Sequence, residues 1–110
     1  GILGRSDDMV TVRGVNVFPS AFLEIFDGIP GVVEHRIAAY RQDHMDQLHV
    51  EFECEDGADR TDLVAKAIRR SLGIRVSLKQ FPPESFPRYE LKAKRFFDHR
   101  SADWRPGMDW

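Results

Sequence analysis

Lys92 stands in Phe86-Pro87-Arg88-Tyr89-Glu90-Leu91-Lys92-Ala93-Lys94-Arg95, a basic run that follows a proline break. A lysine ammonium is a compact point charge on a flexible stem, able to reach an anion held by another domain. Lys94 falls on the same side of an extended strand as Lys92, and a solvated lysine at a strand edge accounts for either residue. Near the start, Gly4-Arg5-Ser6-Asp7-Asp8-Met9 forms a charged turn. There Arg5 can close a weak surface ion pair with Asp7 or Asp8. Asp7 suits an Asx turn, and a short polar turn with few contacts also suits a hinge. Gly14 offers positive φ, which serves a tight turn or the close approach of a ligand.

Other chemistries fall away. His35, His44, His49 and His99 with Cys54 match no metal-ligand spacing. The chain has no glycine-rich phosphate loop and cannot cradle a triphosphate alone. No Arg-Gly-Phe type signature supports RNA binding.

The elements that must position these residues follow from periodicity. Met9-Val10-Thr11-Val12 reads as a short strand closed by a turn at Arg13-Gly14. Pro19 opens a helix whose apolar face is Phe22, Ile25, Phe26 and Ile29, stopped by Gly28 and Pro30-Gly31. His35 to Tyr40 and Leu48 to Cys54 read as two strands joined by a polar loop at residues 43–46. The second strand alternates, with Leu48, Val50, Phe52 and Cys54 inward. Asp59 or Thr61 can cap a second helix with a buried stripe of Leu63, Val64, Ala67, Ile68 and Leu72, ended by Gly73. Ile74 to Leu78 and residues 94–98 give two further strands. The order strand, helix, strand, strand, helix, strand predicts an α+β fold, a ferredoxin-like βαββαβ sandwich. Two helices would pack on one face of a mainly antiparallel sheet, with short extra strands at the ends.

The chain has 110 residues, which fits one domain with a modest core rather than a large enclosed site. Apolar content of 42% with 31% charged residues argues against disorder. A net charge of -2 makes no electrostatic case for nucleic acid or an acidic membrane. One cysteine excludes an internal disulfide and suits a reducing compartment. No apolar run approaches a membrane span, so the expected location is the cytoplasm. The abrupt start suggests a domain boundary inside a longer protein.

Two stretches go further. Residues 4–20, ending Arg13-Gly14-Val15-Asn16-Val17-Phe18-Pro19-Ser20, resemble the hinge segment that opens the C-terminal domain of adenylate-forming acyl-CoA ligases. The wording is most similar to the phenylacetate-CoA ligase branch. The run from Phe86 to Arg95 resembles the family's terminal lysine loop, usually Leu-Pro-Arg-Ser-Glu-Gly-Lys-Ala-Lys-Arg. The resemblance reaches to about Arg100 and is specific at its two ends. It implies that residues 1–100 form a mobile lid domain with its hinge near 5–8, followed by a loose tail over 101–110. It further implies that Lys92 serves adenylation, Arg5 touches the nucleotide, Asp7 is the hinge and Gly14 lines the coenzyme A tunnel. ATP, coenzyme A and Mg²⁺ would act in the full-length enzyme, none being bound by this chain alone. The partners implied are the enzyme's own N-terminal adenylation domain and an aromatic carboxylic acid, with a homodimer left open. Three positions depart from the family pattern: Leu91 stands for a glycine, Tyr89 for a serine and Leu23 for a glutamate. A different class also fits the element order and the Ile29-Pro30-Gly31-Val32 phrase. That reading is a non-catalytic amino-acid-binding regulatory module resembling ACT domains. Trp104 and Trp110 either anchor a partner, cover a nearby patch or hang free.

Overall fold

Alternating apolar residues in the middle of the chain close into a long antiparallel hairpin that carries everything else. The computed structural model describes residues 9–86 and 95–110. In chain order the elements are β1 (Val10–Val12), β2 (Val15–Val17), α1 (Pro19–Asp27), β3 (Val32–Gln42) and β4 (Met45–Cys54), then α2 (Thr61–Leu72), β5 (Ser77–Phe81) and β6 (Phe96–Asp98). β3 and β4 pair antiparallel from Gln42 opposite Met45 out to Val32 opposite Cys54, with a bulge between Val32 and Glu34. Their turn is Asp43-His44, both at positive φ (53° and 65°), the two-residue geometry that matches strand twist.

β5 joins β4 in parallel and β6 joins β3 in parallel, giving the order β5-β4-β3-β6. A parallel neighbour needs a crossover, and α2 supplies it between β4 and β5. The α+β expectation therefore holds: two helices, and a sheet whose longest pairing is antiparallel. The first strand differs from a ferredoxin-like plan, because among the described residues β1 pairs only with β2, in a separate hairpin. Glycine at position 14 turns the chain back at once, so β1 spends its hydrogen bonds locally. The fifth strand starts three residues later than the alternation at Ile74 suggests, after an irregular stretch at residues 73–76.

Pro19 occupies the first turn of α1, and Phe22, Ile25 and Phe26 bury one face. From α2, Val64 and Ile68 meet the same core as Ile37, Ala39, Leu48, Val50 and Phe52. Leu63, expected in the buried stripe, is 53% exposed. It lies about 100° around the helix from Val64, which takes the inward direction. Neither Asp59 nor Thr61 caps this helix: Arg60 stands at its N-cap without a side-chain cap bond, and Asp59 just before it forms a local turn, its Oδ1 accepting from the Thr61 N–H at 3.0 Å and the Thr61 hydroxyl at 2.6 Å.

The opposite face of the sheet is also covered. Residues 101–110, expected as a loose tail, lie across it. Trp104 is buried against Ala38 and Tyr40, and Trp110 packs on that group. The Trp104 indole N–H donates to the Asp109 carbonyl at 2.7 Å, which closes the tail on itself. Two indoles and the apolar patch at Ala38 and Tyr40 give the tail enough buried surface to dock.

His35 faces the helices, stacked on Phe26 with ring centroids 4.5 Å apart. Burial first, and then the nearby Arg95 guanidinium, push its pKa down to about 3. An unfolded chain binds this proton near pH 6.5. His35 therefore contributes stability that is complete above pH 6.5 and lost as pH falls towards 3, at up to about 1.4 kcal/mol per unit. His35→Phe keeps the ring stack and removes the titration. Its urea midpoint should fall less than wild type's between pH 6.5 and 5, and parallel curves would refute this assignment.

Candidate functional site

The β1–β2 turn consists of Arg13 and Gly14, both in the left-handed region at φ 49° and 81°. Glycine adopts that conformation freely, whereas Arg13 is held in it by its side chain. The Arg13 guanidinium donates from Nη1 to Gln47 Oε1 at 2.7 Å and from Nη2 to the Arg75 carbonyl. Arg100 braces the hairpin from its other side, donating from Nη1 to the Thr11 carbonyl and to Asp46 Oδ2, each at 3.2 Å. It also pairs with Asp98 at 2.8 Å. Partial burial raises the Asp46 pKa, but hydrogen bonds from Arg41 and Arg100 outweigh it and hold the carboxyl below its usual range. The turn is thus fixed to the Asp46–Gln47 end of β4. Among the described residues, a Cβ added at Gly14 would meet no heavy atom within 4 Å beyond its chain neighbours, so the crest of the turn is open on their side.

The other end of β4 carries a second constellation. Glu53 is fully buried, and its Oε2 accepts from the Ser85 N–H at 2.9 Å and the Phe86 N–H at 3.0 Å. Phe86 is buried beside Phe81, ring centroids 5.2 Å apart. The Arg36 guanidinium carbon lies 4.7 Å from the Phe86 ring centre and 4.2 Å from that of Trp110. Arg36 in turn donates to Glu51 Oε1 at 2.8 Å, His49 Nε2 sits 3.0 Å from Glu51 Oε2, and Ser77 Oγ sits 2.6 Å from His49 Nδ1. Burial alone would raise the Glu51 pKa; the His49 and Arg36 hydrogen bonds prevail and lower it. Just before β6, Arg95 Nη1 donates to Glu34 Oε1 at 2.6 Å and to the His35 carbonyl at 3.2 Å.

Of the residues singled out in the sequence, Gly14 lies in the described structure and sits where a positive φ is required. Arg5, Asp7 and Lys92 lie outside the described residues. The latter belongs to the stretch 87–94, whose two flanks, Phe86 and Arg95, are both pinned as above. Sequence reasoning missed Glu34, Glu53 and Arg36 as supports. The one signal available was the run of ionisable residues His49, Glu51 and Glu53 at every second position of a strand, which reads equally well as a solvated face.

A family model described as the C-terminal domain of AMP-binding enzymes matches residues 14–100. The chain belongs to this family. The phenylacetate-coenzyme A ligase of Escherichia coli strain K12 is 34% identical over 110 residues, covering 91% of this chain and 25% of that protein. The crystal structure of a 2-hydroxyisobutyryl-CoA ligase with its acyl-adenylate and CoA in the thioesterification state matches with TM-score 0.74. It is 31% identical and covers 86% of this chain and 22% of that one. A domain of the Bacteroides vulgatus phenylacetate-coenzyme A ligase shares the fold, with TM-score 0.72 and 21% identity over 90% of this chain and 98% of that one. The chain spans about a quarter of the length of the curated ligases it matches. These matches set aside the amino-acid-binding regulatory module.

As a member of the AMP-binding C-terminal family, the chain should tolerate a substitution at Gly14 sterically but not conformationally. Gly14→Ala should lower unfolding free energy by about 1–2 kcal/mol, the cost of a left-handed alanine. Gly14→Asn should cost less, because asparagine visits that region more readily. Equal losses for the two in chemical denaturation would contradict this account of the turn.

Proposed function

We propose that this chain is the mobile C-terminal part of an ATP-dependent ligase joining coenzyme A to an aromatic carboxylic acid, similar in activity to phenylacetate-CoA ligases. The observation that carries the reading is the arrangement of β4. The open Gly14 turn is fastened at Gln47, and the flank of the Lys92 segment is fastened at Glu53. Six residues of strand separate these points, about 20 Å at the usual rise. On this reading, a reaction centre on a partner domain meets one of them at a time.

The two points suit two different steps. In the first, an oxygen of the acid's carboxylate attacks the α-phosphorus of ATP, and pyrophosphate leaves. The Lys92 ammonium lies between the two anions and stabilises the charge that develops. Arg5 contacts the nucleotide, and Asp7 is the hinge about which the domain turns. In the second step the coenzyme A sulfur attacks the acyl carbonyl and AMP leaves. The Gly14 crest, without a side chain, then lets the pantetheine arm pass close to the backbone. The acid pocket, most of the ATP contacts and Mg²⁺ coordination belong to the N-terminal adenylation domain of that enzyme, which works in the cytoplasm. This chain alone makes no product.

In the full-length ligase, Lys92→Ala should cut pyrophosphate release on adding acid and ATP by about 100-fold or more, the scale of one lost charge-stabilising donor. Thioester formation from supplied acyl-adenylate and coenzyme A should stay near wild type. Gly14→Leu should show the reverse pattern. Equal loss in both half-reactions for either variant would overturn this division of labour.

A further inference from the structure

The outer face of the sheet holds a network that the half-reactions above leave unused. Its polar members lie on three strands: Arg36 on β3, His49, Glu51 and Glu53 on β4, and Ser77 on β5. His49, Glu51 and Glu53 are 4%, 3% and 0% exposed. Burying so many ionisable groups on one side of a small domain is costly unless each is satisfied, and satisfied networks hold their members in one geometry. Two features of this one stand out. It ends on the Phe86 ring and on the backbone N–H groups of Ser85 and Phe86, where the chain leaves for residue 87. It is capped by Trp110, whose ring meets Arg36, His49, Phe97 and Trp104.

The far flank is fixed as well. Arg95 pairs with Glu34, and its carbonyl accepts from the Ile37 N–H at 2.8 Å. Three residues of chain separate position 92 from Arg95, a reach of at most about 11 Å, and six separate it from Phe86. A charge that must sit between two anions is sensitive to its tether, since a misplacement of about 1 Å can cost 100-fold in rate. Both tether points are set by side chains of the central hairpin, Glu53 for Phe86 and Glu34 for Arg95.

We propose that the Arg36–Phe86–Trp110 stack with Glu53 at one flank, and the Arg95–Glu34 pair at the other, are positioning elements for Lys92, so that Trp110 acts on the adenylation step. The inference rests on the functional reading above and goes beyond it by assigning the C-terminal tail a role in one half-reaction. The Gly14 turn is held by other residues, Arg13 and Arg100. Loosening it should therefore leave thioester formation alone.

The test uses the full-length ligase and measures each half-reaction on the same sample. Pyrophosphate release with acid and ATP reports adenylation; thioester formation from supplied acyl-adenylate and coenzyme A reports the second step. Trp110→Ala should lower kcat for adenylation about 10-fold, with KM for ATP and acid little changed and thioester formation intact. Trp110→Phe keeps an aromatic ring on Arg36 and should restore most of the rate. Arg95→Met, nearer to Lys92, should lower adenylation further, towards the 100-fold scale of a lost alignment, and Arg95→Lys should recover part of it. If Trp110→Ala folds poorly, Glu53→Gln, which keeps one carbonyl acceptor, reads the same flank; if Arg95→Met does, Glu34→Gln reads the other. A parallel fall in both half-reactions, or no rescue by Trp110→Phe, would reduce the network to a stabilising one and overturn the proposal. Lys92→Ala separates the two claims. Unchanged adenylation in Lys92→Ala would bring down the functional reading and this inference together. Strong loss in Lys92→Ala with wild-type kcat in Trp110→Ala and Arg95→Met would bring down the inference alone.

Discussion

β4 is buried on both faces, and the rest of the molecule is arranged around that constraint. Its inward residues, Leu48, Val50, Phe52 and Cys54, need only an apolar cover, which the two helices give. Its outward residues, His49, Glu51 and Glu53, are ionisable and equally hidden. A hidden carboxylate is tolerable only with donors in place. Glu53 finds them in the backbone at Ser85 and Phe86, and Glu51 in Arg36 with His49 beside it. The chain after β5 must therefore pass directly over β4, and the tail must follow to close the face. Two regions that look like connecting loop in the sequence become fixed because a central strand would otherwise carry unpaired charge.

This constraint explains what could be read in advance. The inner face was legible because apolar residues at period two in β4 and at period 3.6 in α1 and α2 have one common burial direction. The turns were legible because Gly14 and Gly73 sit where positive φ is needed and Pro19 where a helix begins. The outer face was not, since alternating His, Glu and Glu is the pattern of a solvated face. Only the partners, distant by 15 to 33 positions (Arg36 to Glu51, Glu53 to Phe86), distinguish it from a buried network. The tail was misread for the same reason: Trp104 and Trp110 lack any periodicity, and their docking surface at Ala38 and Tyr40 belongs to a strand far away in sequence. Of the candidate site, the sequence offers residue types and their order along the chain, while the side-chain braces at Glu34, Arg36 and Glu53 appear only in three dimensions.

The first strand shows a local choice overriding a global pattern. Val10 and Val12 are apolar at period two and would suit a sheet interior. Their hydrogen bonds go instead to Val17 and Val15 across the Arg13-Gly14 turn. The hairpin still joins the core through Val10, Val12 and Val17. Its orientation is then set by arginines rather than by a shared ladder: Arg13 reaches Gln47 and Arg75, and Arg100 reaches Thr11 and Asp46. Side-chain braces of this kind fix the crest of the turn without enclosing it.

These two modes of attachment bear on the rotation proposed above. The crest at Gly14 and the flanks of the Lys92 segment are held by opposite ends of the same hairpin, the first near its turn at residues 43–47, the second near Glu34 and Glu53. A twisted two-stranded ribbon buried on both faces is stiff, because bending it would open the core on one side and the polar network on the other. The domain therefore cannot bring both ends to one point by flexing. If both ends serve a single reaction centre, the motion between steps has to occur outside this rigid body, at the chain segment that precedes β1. The polar turn at residues 5–8 has the composition for that, with its charged side chains tied to none of the apolar periodicities that build the sheet and helices. Stiffness within the domain is what such a motion of the whole body requires, and the satisfied buried charges on β4 contribute to it.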